Sequence, residues 1–264
     1  MQDKYVGDVG DFGKFILLSE LTLIGKESIK LGINWYHVTK PDQRAGDGRH
    51  IDYLDATWKH FNCYRECSLN IHGKLKIIVD DDERKISALE KGGLLPDSTL
   101  YYSEPVPYES KSLDQKKINR EQWFENSKTV LKNSDIVFLD PDNGIRPFNV
   151  RKTQMKAIKY AFDDEINEYY QEGKSVILYN HRDYSPKQRY DRDKLLRIKD
   201  FIHSDTFAVL RFKRISVRDY VFLMQKKHKE LFMELLNRML SKPYNYLFEQ
   251  YKFDHFTSDN ITHF

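Results

Sequence analysis

The sequence predicts an α/β fold with a doubly wound, mainly parallel sheet and an antiparallel strand at one edge. Segments of strand length alternate with segments of helix length along most of the chain, which is the order that produces a parallel sheet covered by helices. The runs 135–140 and 174–180 have continuously apolar centres, 136–139 and 176–179, as strands have when both faces of a sheet are covered. The last two strand-like runs, 206–212 and 219–225, are close enough in sequence to pair antiparallel. Together these observations indicate one Rossmann-like domain over residues 1–264.

The individual strands are predicted from short runs rich in β-branched and aromatic residues. In chain order they cover 32–38, 75–79, 98–104, 135–140, 174–180, 206–212 and 219–225.

The predicted helices have apolar residues at helical spacing and terminal residues that favour helix ends. Residues 81–93 begin with acids and end with glycine, and Thr153 can cap the helix that follows it. We interpret residues 40–74 as an insertion and residues 243–264 as a C-terminal tail. In chain order the predicted helices cover 11–25, 51–61, 81–93, 120–133, 154–171, 187–202 and 227–240.

The composition excludes some classes of protein without selecting one. The chain has 264 residues, 31% of them charged, and its formal net charge of +3 is too small to indicate a nucleic-acid partner by itself. The two cysteines, Cys63 and Cys67, do not make a disulfide framework, so a reducing cytoplasm is the expected compartment. No run approaches the roughly 20 apolar residues of a membrane-spanning helix, so no membrane partner is expected.

The sequence DPDNG follows the most apolar predicted strand. Asp140 comes first, and the proline after it favours an extended backbone, which gives the carboxylate a defined direction. Asp142, Asn143 and Gly144 then form a tight turn. Ligands of such sheets bind beyond the carboxyl ends of the strands, so Asp140, Asp142 and Asn143 are candidate catalytic residues. The alternative interpretation is an Asx turn that only closes the strand.

A second polar stretch, NHRD, comes at the end of the strand 174–180. His181 has an amide, a guanidinium and a carboxylate as sequence neighbours there, and we take it as a further candidate catalytic residue. A structural histidine is the alternative. Asp42, Asp47 and Glu104 follow other predicted strands, and for them the alternative is an ordinary loop acid.

Basic residues are concentrated late in the chain. Residues 182–218 contain eleven Lys and Arg but only five Asp. One interpretation is a phosphate-facing surface, with Arg182, Lys187, Arg189 and Arg214 as candidate nucleic-acid-binding residues. The other is a solvated helix that carries ion pairs.

The segment VGDVGDFGKF, residues 6–15, holds three of the chain's 12 glycines and two aspartates just before an apolar run. It resembles the N-terminal pattern of the type J family of large-ribosomal-subunit adenine-N6 methyltransferases, which is roughly H-A-G-N-x-x-D-x-x-K-H. In that family the segment lies over the S-adenosylmethionine pocket. The resemblance implies that the glycines let the backbone approach the cofactor closely. The cofactor-binding positions implied are Gly7, Asp8, Asp11 and Lys14, together with Asp47 of the later GDG segment.

The sequence FLDPDNG resembles the D-P-P-Y motif of the same family, in which the first Asp is the catalytic base. Asp140 stands at that position, whereas Asp142 and Asn143 replace the second proline and the aromatic residue. The closing strand, strand and helix are also similar to the end of class I methyltransferases. The resemblance therefore implies a methyltransferase-like enzyme that uses S-adenosylmethionine and acts on nucleic acid.

Two other functions remain open from the residues alone. A magnesium-dependent nuclease or phosphohydrolase would bind Mg²⁺ through Asp140 and Asp142, with Asp183 as a further ligand. His181 or Lys14 would then transfer a proton or bind phosphate. A non-catalytic accessory protein on the same scaffold is the third reading, since such a protein would have lost parts of the D-P-P-Y motif.

Overall fold

The computed structural model describes residues 1–40, 48–110 and 112–253, and for Glu27 the backbone only. The strands in these residues are β1 (Leu31–Asn34), β2 (Leu100–Tyr102), β3 (Ile136–Leu139), β4 (Gly144–Ile145), β5 (Tyr160–Ala161), β6 (Ser175–His181), β7 (Thr206–Phe212), β8 (Arg218–Met224) and β9 (Phe248–Gln250).

Seven of the described strands form one sheet in the order β2-β1-β3-β6-β8-β7-β9, and β4 pairs with β5 separately. β2, β1, β3 and β6 are parallel to one another. β8 runs antiparallel between β6 and β7, and β9 runs antiparallel outside β7. The predicted mainly parallel α/β sheet with antiparallel pairing at one edge is confirmed. β9, which the sequence patterns did not predict, forms that edge.

Helices cover both faces of this sheet. The described helices are α1 (Val9–Gly25), α2 (Phe61–Cys67), α3 (Leu69–Asp80), α4 (Ile86–Lys91), α5 (Leu113–Val130), α6 (Asp163–Gln171), α7 (Lys187–Tyr190), α8 (Arg197–Ile202) and α9 (Lys229–Met239), with a π-helical segment, Asp191–Leu196, joining α7 to α8.

Alternation along the central strands explains the two layers of helices, because successive side chains of a strand face opposite sides. Ile136 and Phe138 of β3 belong to the core formed with α1, α3 and α9. Val137 and Leu139 belong to the core formed with α5, α6 and α8. The sheet is therefore doubly wound and Rossmann-like, as predicted.

One predicted strand, 75–79, is wrong. These residues lie in α3, where Ile71, Leu75 and Ile78 are buried at helical spacing. Ser68 caps this helix, since its hydroxyl accepts a hydrogen bond from the backbone N–H of Ile71 at 3.3 Å. The short β-branched run resembles a strand only when it is read without the residues before it.

Several predicted helices are wrong in extent. Residues 51–60 contain only one 3₁₀ turn, at Asp52–Leu54, and α2 begins at Phe61. Of the predicted helix 81–93 only Ile86–Lys91 is helical, and α5 begins at Leu113 rather than at residue 120.

The predicted helix 154–171 is divided into a 3₁₀ turn, β5 and α6. The carboxylate of Glu165 accepts a hydrogen bond from the backbone N–H of Phe162 at 3.2 Å, and this contact fixes the start of α6 after β5.

The described part of the predicted C-terminal tail packs on the domain. It contributes β9, and Tyr251 after it is buried. None of the helices described here combines the length and apolar character needed to cross a membrane.

Glycine allows α1 to lie close to the end of β7. A Cβ atom added at Gly13 would lie 2.6 Å from the ring of buried Phe212. Gly73 of α3 is also helical, but apart from its own helix backbone and chain neighbours no heavy atom of the described residues lies within 4 Å of its Cβ position. These two glycines therefore differ in packing while sharing the same backbone state.

We expect Gly13→Ala to destabilise the protein and Gly73→Ala to leave it unchanged or slightly more stable. Alanine favours a helix by about 0.5–1 kcal/mol over glycine at either position. At Gly13 the added methyl group overpacks the core, which costs about 1–3 kcal/mol. Urea unfolding of both variants measures the difference, and equal free energies of unfolding would contradict this account of the packing.

Candidate functional site

A buried ion pair joins the two predicted motifs at the carboxyl edge of the sheet. The Nζ atom of Lys14 lies 2.6 Å from Oδ2 of Asp140 and 2.8 Å from Oδ1 of Asp11. Asp140 is 126 residues from Lys14 in sequence, and its exposed fraction is 2%. The structure therefore brings the opening segment and the DPDNG turn into direct contact.

Local backbone structure aims these three side chains at one another. Asp140 directly follows β3, and its backbone N–H donates to the carbonyl of Asn34 at 2.9 Å. Asp8 caps α1 and accepts from the N–H of Gly10 at 2.7 Å. Because the helix begins there, Asp11 and Lys14 lie one turn apart on the same face of α1.

Two carboxylates contact the ammonium group of Lys14, and the buried amino group of Met1 is a second positive charge near Asp140. Burial raises the pKa of Asp140 and of Asp11. Burial alone would lower the pKa of Lys14, but the two carboxylates outweigh it and raise that pKa. The lysine therefore stays charged, and the proton taken up as the pH falls goes to Asp11 or Asp140.

The first residues of the chain cover this cluster. The amino group of Met1 donates to the carbonyls of Asp140 at 2.9 Å and Trp35 at 3.0 Å. The side-chain amide of Gln2 donates to the carboxylate of Asp142. The guanidinium of Arg84 fixes the next part of this segment, because it donates to the backbone carbonyls of Lys4 and Val6. It also donates to the carbonyl of Gly48.

A second ion pair lies beside the first. Nη2 of Arg218 is 3.6 Å from Oδ2 of Asp8, and its Nε donates to the hydroxyl of Tyr179 at 3.0 Å. Sequence reasoning did not include Arg218 in the site. The signal was available, because an antiparallel strand begins where its parallel neighbours end, and Arg218 is paired with His181 in the register of β6 and β8.

The glycines of the opening segment face other parts of the protein. A Cβ atom at Gly7 would lie 2.5 Å from Val79, and one at Gly10 would lie 2.6 Å from the guanidinium of Arg218. Gly7 also has φ +77°, which side chains rarely adopt. These glycines therefore allow close packing within the chain, and their approach to a ligand stays a prediction.

Asn180 of β6 holds the DPDNG turn in place. Gly144 has φ +91°, and a Cβ atom there would lie 2.1 Å from Oδ1 of Asn180. That same oxygen accepts from the N–H of Ile145 at 2.8 Å. Asn143 donates its backbone N–H to the carbonyl of Lys159 at 2.9 Å, so the turn is fixed at both sides.

His181 is the last residue of β6 and is partly buried near the carboxylates of Asp142 and Asp183. Burial lowers the pKa of its imidazole, and the positive charges of Arg218 and Lys194 lower it further. Asp183 and Asp142 act in the opposite direction. The imidazole is therefore neutral near pH 7, which leaves one ring nitrogen able to accept a proton.

The four candidate nucleic-acid-binding residues are mostly engaged within the chain. Arg182 donates to the carbonyl of Ser185 at 2.6 Å, and Arg214 donates to a backbone carbonyl, that of Tyr246, at 2.7 Å. Lys187 and Arg189 form i,i+4 ion pairs with Asp191 at 3.1 Å and Asp193 at 3.3 Å. These contacts are those of the alternative interpretation, a solvated helix with ion pairs, although Arg189 stays well exposed.

In the part of the chain that the structure describes, no group of three or more His, Cys, Asp or Glu side chains is arranged to hold a metal ion. Asp47 lies outside the described residues, as does Asp42.

No protein-family model matches this chain, and no curated protein matches it either.

We expect Lys14→Met to destabilise the protein by about 3–5 kcal/mol, because it removes the ammonium group that two buried carboxylates share. Asp140→Asn alone should cost less than Lys14→Met, since Lys14 keeps Asp11 as its partner. The double variant should be more stable than Lys14→Met alone. Denaturant unfolding of the three proteins measures these differences.

A surface ion pair gives the control for this set. Lys76 lies 2.8 Å from Asp80 on α3 and is well exposed, so Lys76→Met should cost less than about 1 kcal/mol. Equal losses for Lys14→Met and Lys76→Met would contradict the assignment of a buried, structure-determining pair.

We expect His181 to lower the melting temperature as the pH falls from about 7.5 to 5.5. Its folded pKa lies below the ordinary value of about 6.5, so below that pH the unfolded chain binds a proton that the folded chain does not. Stability is therefore lost as the pH falls through this window. His181→Gln should reduce the slope of melting temperature against pH, and an unchanged slope would contradict the assignment.

Proposed function

We propose that the protein is a methyltransferase-like enzyme that acts on nucleic acid, with Asp140 as its catalytic or positioning acid. The contact between Lys14 and Asp140 carries this proposal. It unites the two segments that resemble motifs of the adenine-N6 methyltransferases. It does so at the carboxyl edge of β1 and β3, where sheets of this type bind their ligands.

The end of the sheet gives independent support. β7 and β8 are followed by α9, and the antiparallel β8 lies between β6 and β7. This order is similar to the end of class I methyltransferases. The same strand brings Arg218 to the carboxyl edge, next to Asp8.

The charges near Asp140 are of the types that would fit the amino-acid end of S-adenosylmethionine. Asp8 and Asp11 are suited to its ammonium group and Lys14 to its carboxylate. In the described conformation these side chains pair with one another or with Arg218, and Met1 and Gln2 cover them. Cofactor binding would therefore require Met1 and Gln2 to move away. When bound, the cofactor supplies a methyl group on a positively charged sulfur.

The protein's own contribution would be position and charge. Lys14 and the backbone hydrogen bond to Asn34 hold the Asp140 carboxylate in one orientation. Burial raises its pKa, which makes it a stronger base than an exposed aspartate. A fixed carboxylate at this edge can accept a proton from a nucleophilic amino group or orient that group.

One observation favours a second candidate function, a non-catalytic accessory protein on the same scaffold. The acids of the site already have internal partners, and Asp140 is almost completely buried. The magnesium-dependent alternative has less support, since the ammonium group of Lys14 lies 2.6 Å from Asp140 and would repel a divalent cation there.

We expect the protein to bind S-adenosylmethionine and to transfer its methyl group to nucleic acid, and Asp140→Asn to abolish the transfer while retaining the fold. Loss of a general base lowers rates about 10²- to 10⁴-fold. Calorimetric titration with S-adenosylmethionine measures binding, and isotope transfer from its labelled methyl group to separate RNA and DNA preparations measures activity.

Exposed Asp200 on α8 provides the matched control, because Asp200→Asn makes the same chemical change far from the site. The wild-type protein and this control should show equal activity. Cofactor binding with no transfer would favour the accessory protein. Absence of cofactor binding, or full activity in Asp140→Asn, would overturn the assignment.

A further inference from the structure

A cavity lies beside the candidate site, between the segment after the DPDNG turn and the segment after β6. Its volume is ≈ 220 Å³. It is smaller than the roughly 300–1,000 Å³ of pockets for drug-sized ligands, so it suits a single ring system rather than an entire cofactor. The lining residues are Pro147, Phe148, Asn149, Asp183, Ser185, Arg189, Tyr190, Asp193 and Lys194.

Two unusually exposed aromatic residues belong to the segments that form this cavity. Phe148 is 62% exposed, although a large apolar side chain is normally covered. Tyr184, between two lining residues, is fully exposed. The guanidinium of Arg197 lies 4.5 Å from the centre of the Phe148 ring, which holds the ring in place as a preformed stacking surface.

The charges of the cavity wall balance one another. Asp183 pairs with Lys194 at 3.1 Å, and Asp193 pairs with Arg189 at 3.3 Å. The interior is therefore suited to an uncharged polar ring rather than to a phosphate. Outside it, the side chain of Arg192 is 74% exposed and pairs with Asp193 at 2.8 Å, so its remaining N–H groups can face a phosphate of a nucleic-acid strand.

We propose that this cavity takes one unpaired nucleobase of a nucleic-acid strand, stacked on Phe148 and flanked by Tyr184. Base-on-aromatic stacking needs no particular base, and the amide of Asn149 and the hydroxyl of Ser185 can hydrogen-bond a base edge. A base within a duplex presents no free face to an aromatic ring, so the strand must be single or the base flipped out.

The cavity adjoins the candidate site along the chain. Asp183 of its wall is two residues after His181, and Pro147 is three residues after Gly144 of the DPDNG turn. A base in the cavity would thus lie close to the two segments that carry Asp140 and His181. This inference rests on the proposed function for the nucleic-acid partner, and it names the state of the strand that the site accepts.

The test is a binding measurement without S-adenosylmethionine. Fluorescence anisotropy with labelled RNA and DNA oligonucleotides of one mixed sequence, single-stranded and as duplexes, gives the affinities at a fixed salt concentration. We expect single strands to bind more tightly than duplexes. Phe148→Ala should weaken single-strand binding about 5- to 150-fold, the range for loss of one stacked base, and Tyr184→Ala should weaken it in the same direction.

Phe201 supplies the matched control, because it is a phenylalanine of similar exposure, 50%, on α8 and outside this cavity. Phe201→Ala should bind as the wild type does. Equal affinities for Phe148→Ala and wild type, equal losses in Phe148→Ala and Phe201→Ala, or tighter binding of duplexes would overturn the proposal. If Phe148→Ala fails to fold, the fully exposed Tyr184→Ala variant decides in the same assay.

The two proposals fail in different experiments. Single-strand binding that depends on Phe148, without any cofactor binding in the calorimeter, would retain the base cavity and reject methyl transfer. Cofactor binding without binding of any oligonucleotide would reject the cavity as a site for a nucleobase.

Discussion

The buried contact of Lys14 with Asp140 and Asp11 is the constraint on which the carboxyl edge of the sheet depends. A charge this deep is stable only with close partners, and here the partners come from α1 and from the end of β3. The contact therefore fixes the helix relative to the strand. It also fixes the DPDNG turn, because Asp140 begins that turn.

The rest of the edge is built around the same requirement for compensated charge. Arg218 meets Asp8 on one side of the cluster, and Asn180 supports the turn on the other side. Behind Asn180, the hydroxyl of Tyr190 donates to Asp219 at 2.6 Å, and Arg211 contacts that same carboxylate. Polar groups at this edge are thus joined into connected networks, which holds their directions more tightly than isolated pairs would.

Much of the fold could be predicted from the sequence because its signals are local. β3 and β6 are continuous apolar runs, and α1 has apolar residues at helical spacing. Prediction failed where a short segment has two periodicities, as in α3, and where pairing with a distant segment decides, as in β5 and β9. Those outcomes depend on tertiary contacts that no short window contains.

The candidate site was predictable only in part, for a related reason. Position after a strand predicted Asp140, and the resemblance of the opening segment to a methyltransferase motif implied Asp11 and Lys14. The roles of Gly7 and Gly10 depend on Val79 and Arg218, which are distant in sequence, so their packing function could not be inferred locally. Arg218 is the first residue of an antiparallel strand, so a search for polar residues after the ends of parallel strands does not find it.

The antiparallel course of β8 has a consequence for how such a domain can vary. The turn between β7 and β8, residues 213–217, lies at the same edge as the ends of β1, β3 and β6. Ile215 in this turn has φ +62° and is half exposed, so its side chain belongs to neither core. Insertions or deletions there would reshape the entrance to the candidate site and leave the two cores intact. Insertions or deletions at the other end of the strands, where β1, β3 and β6 begin, would not reach the entrance to the site.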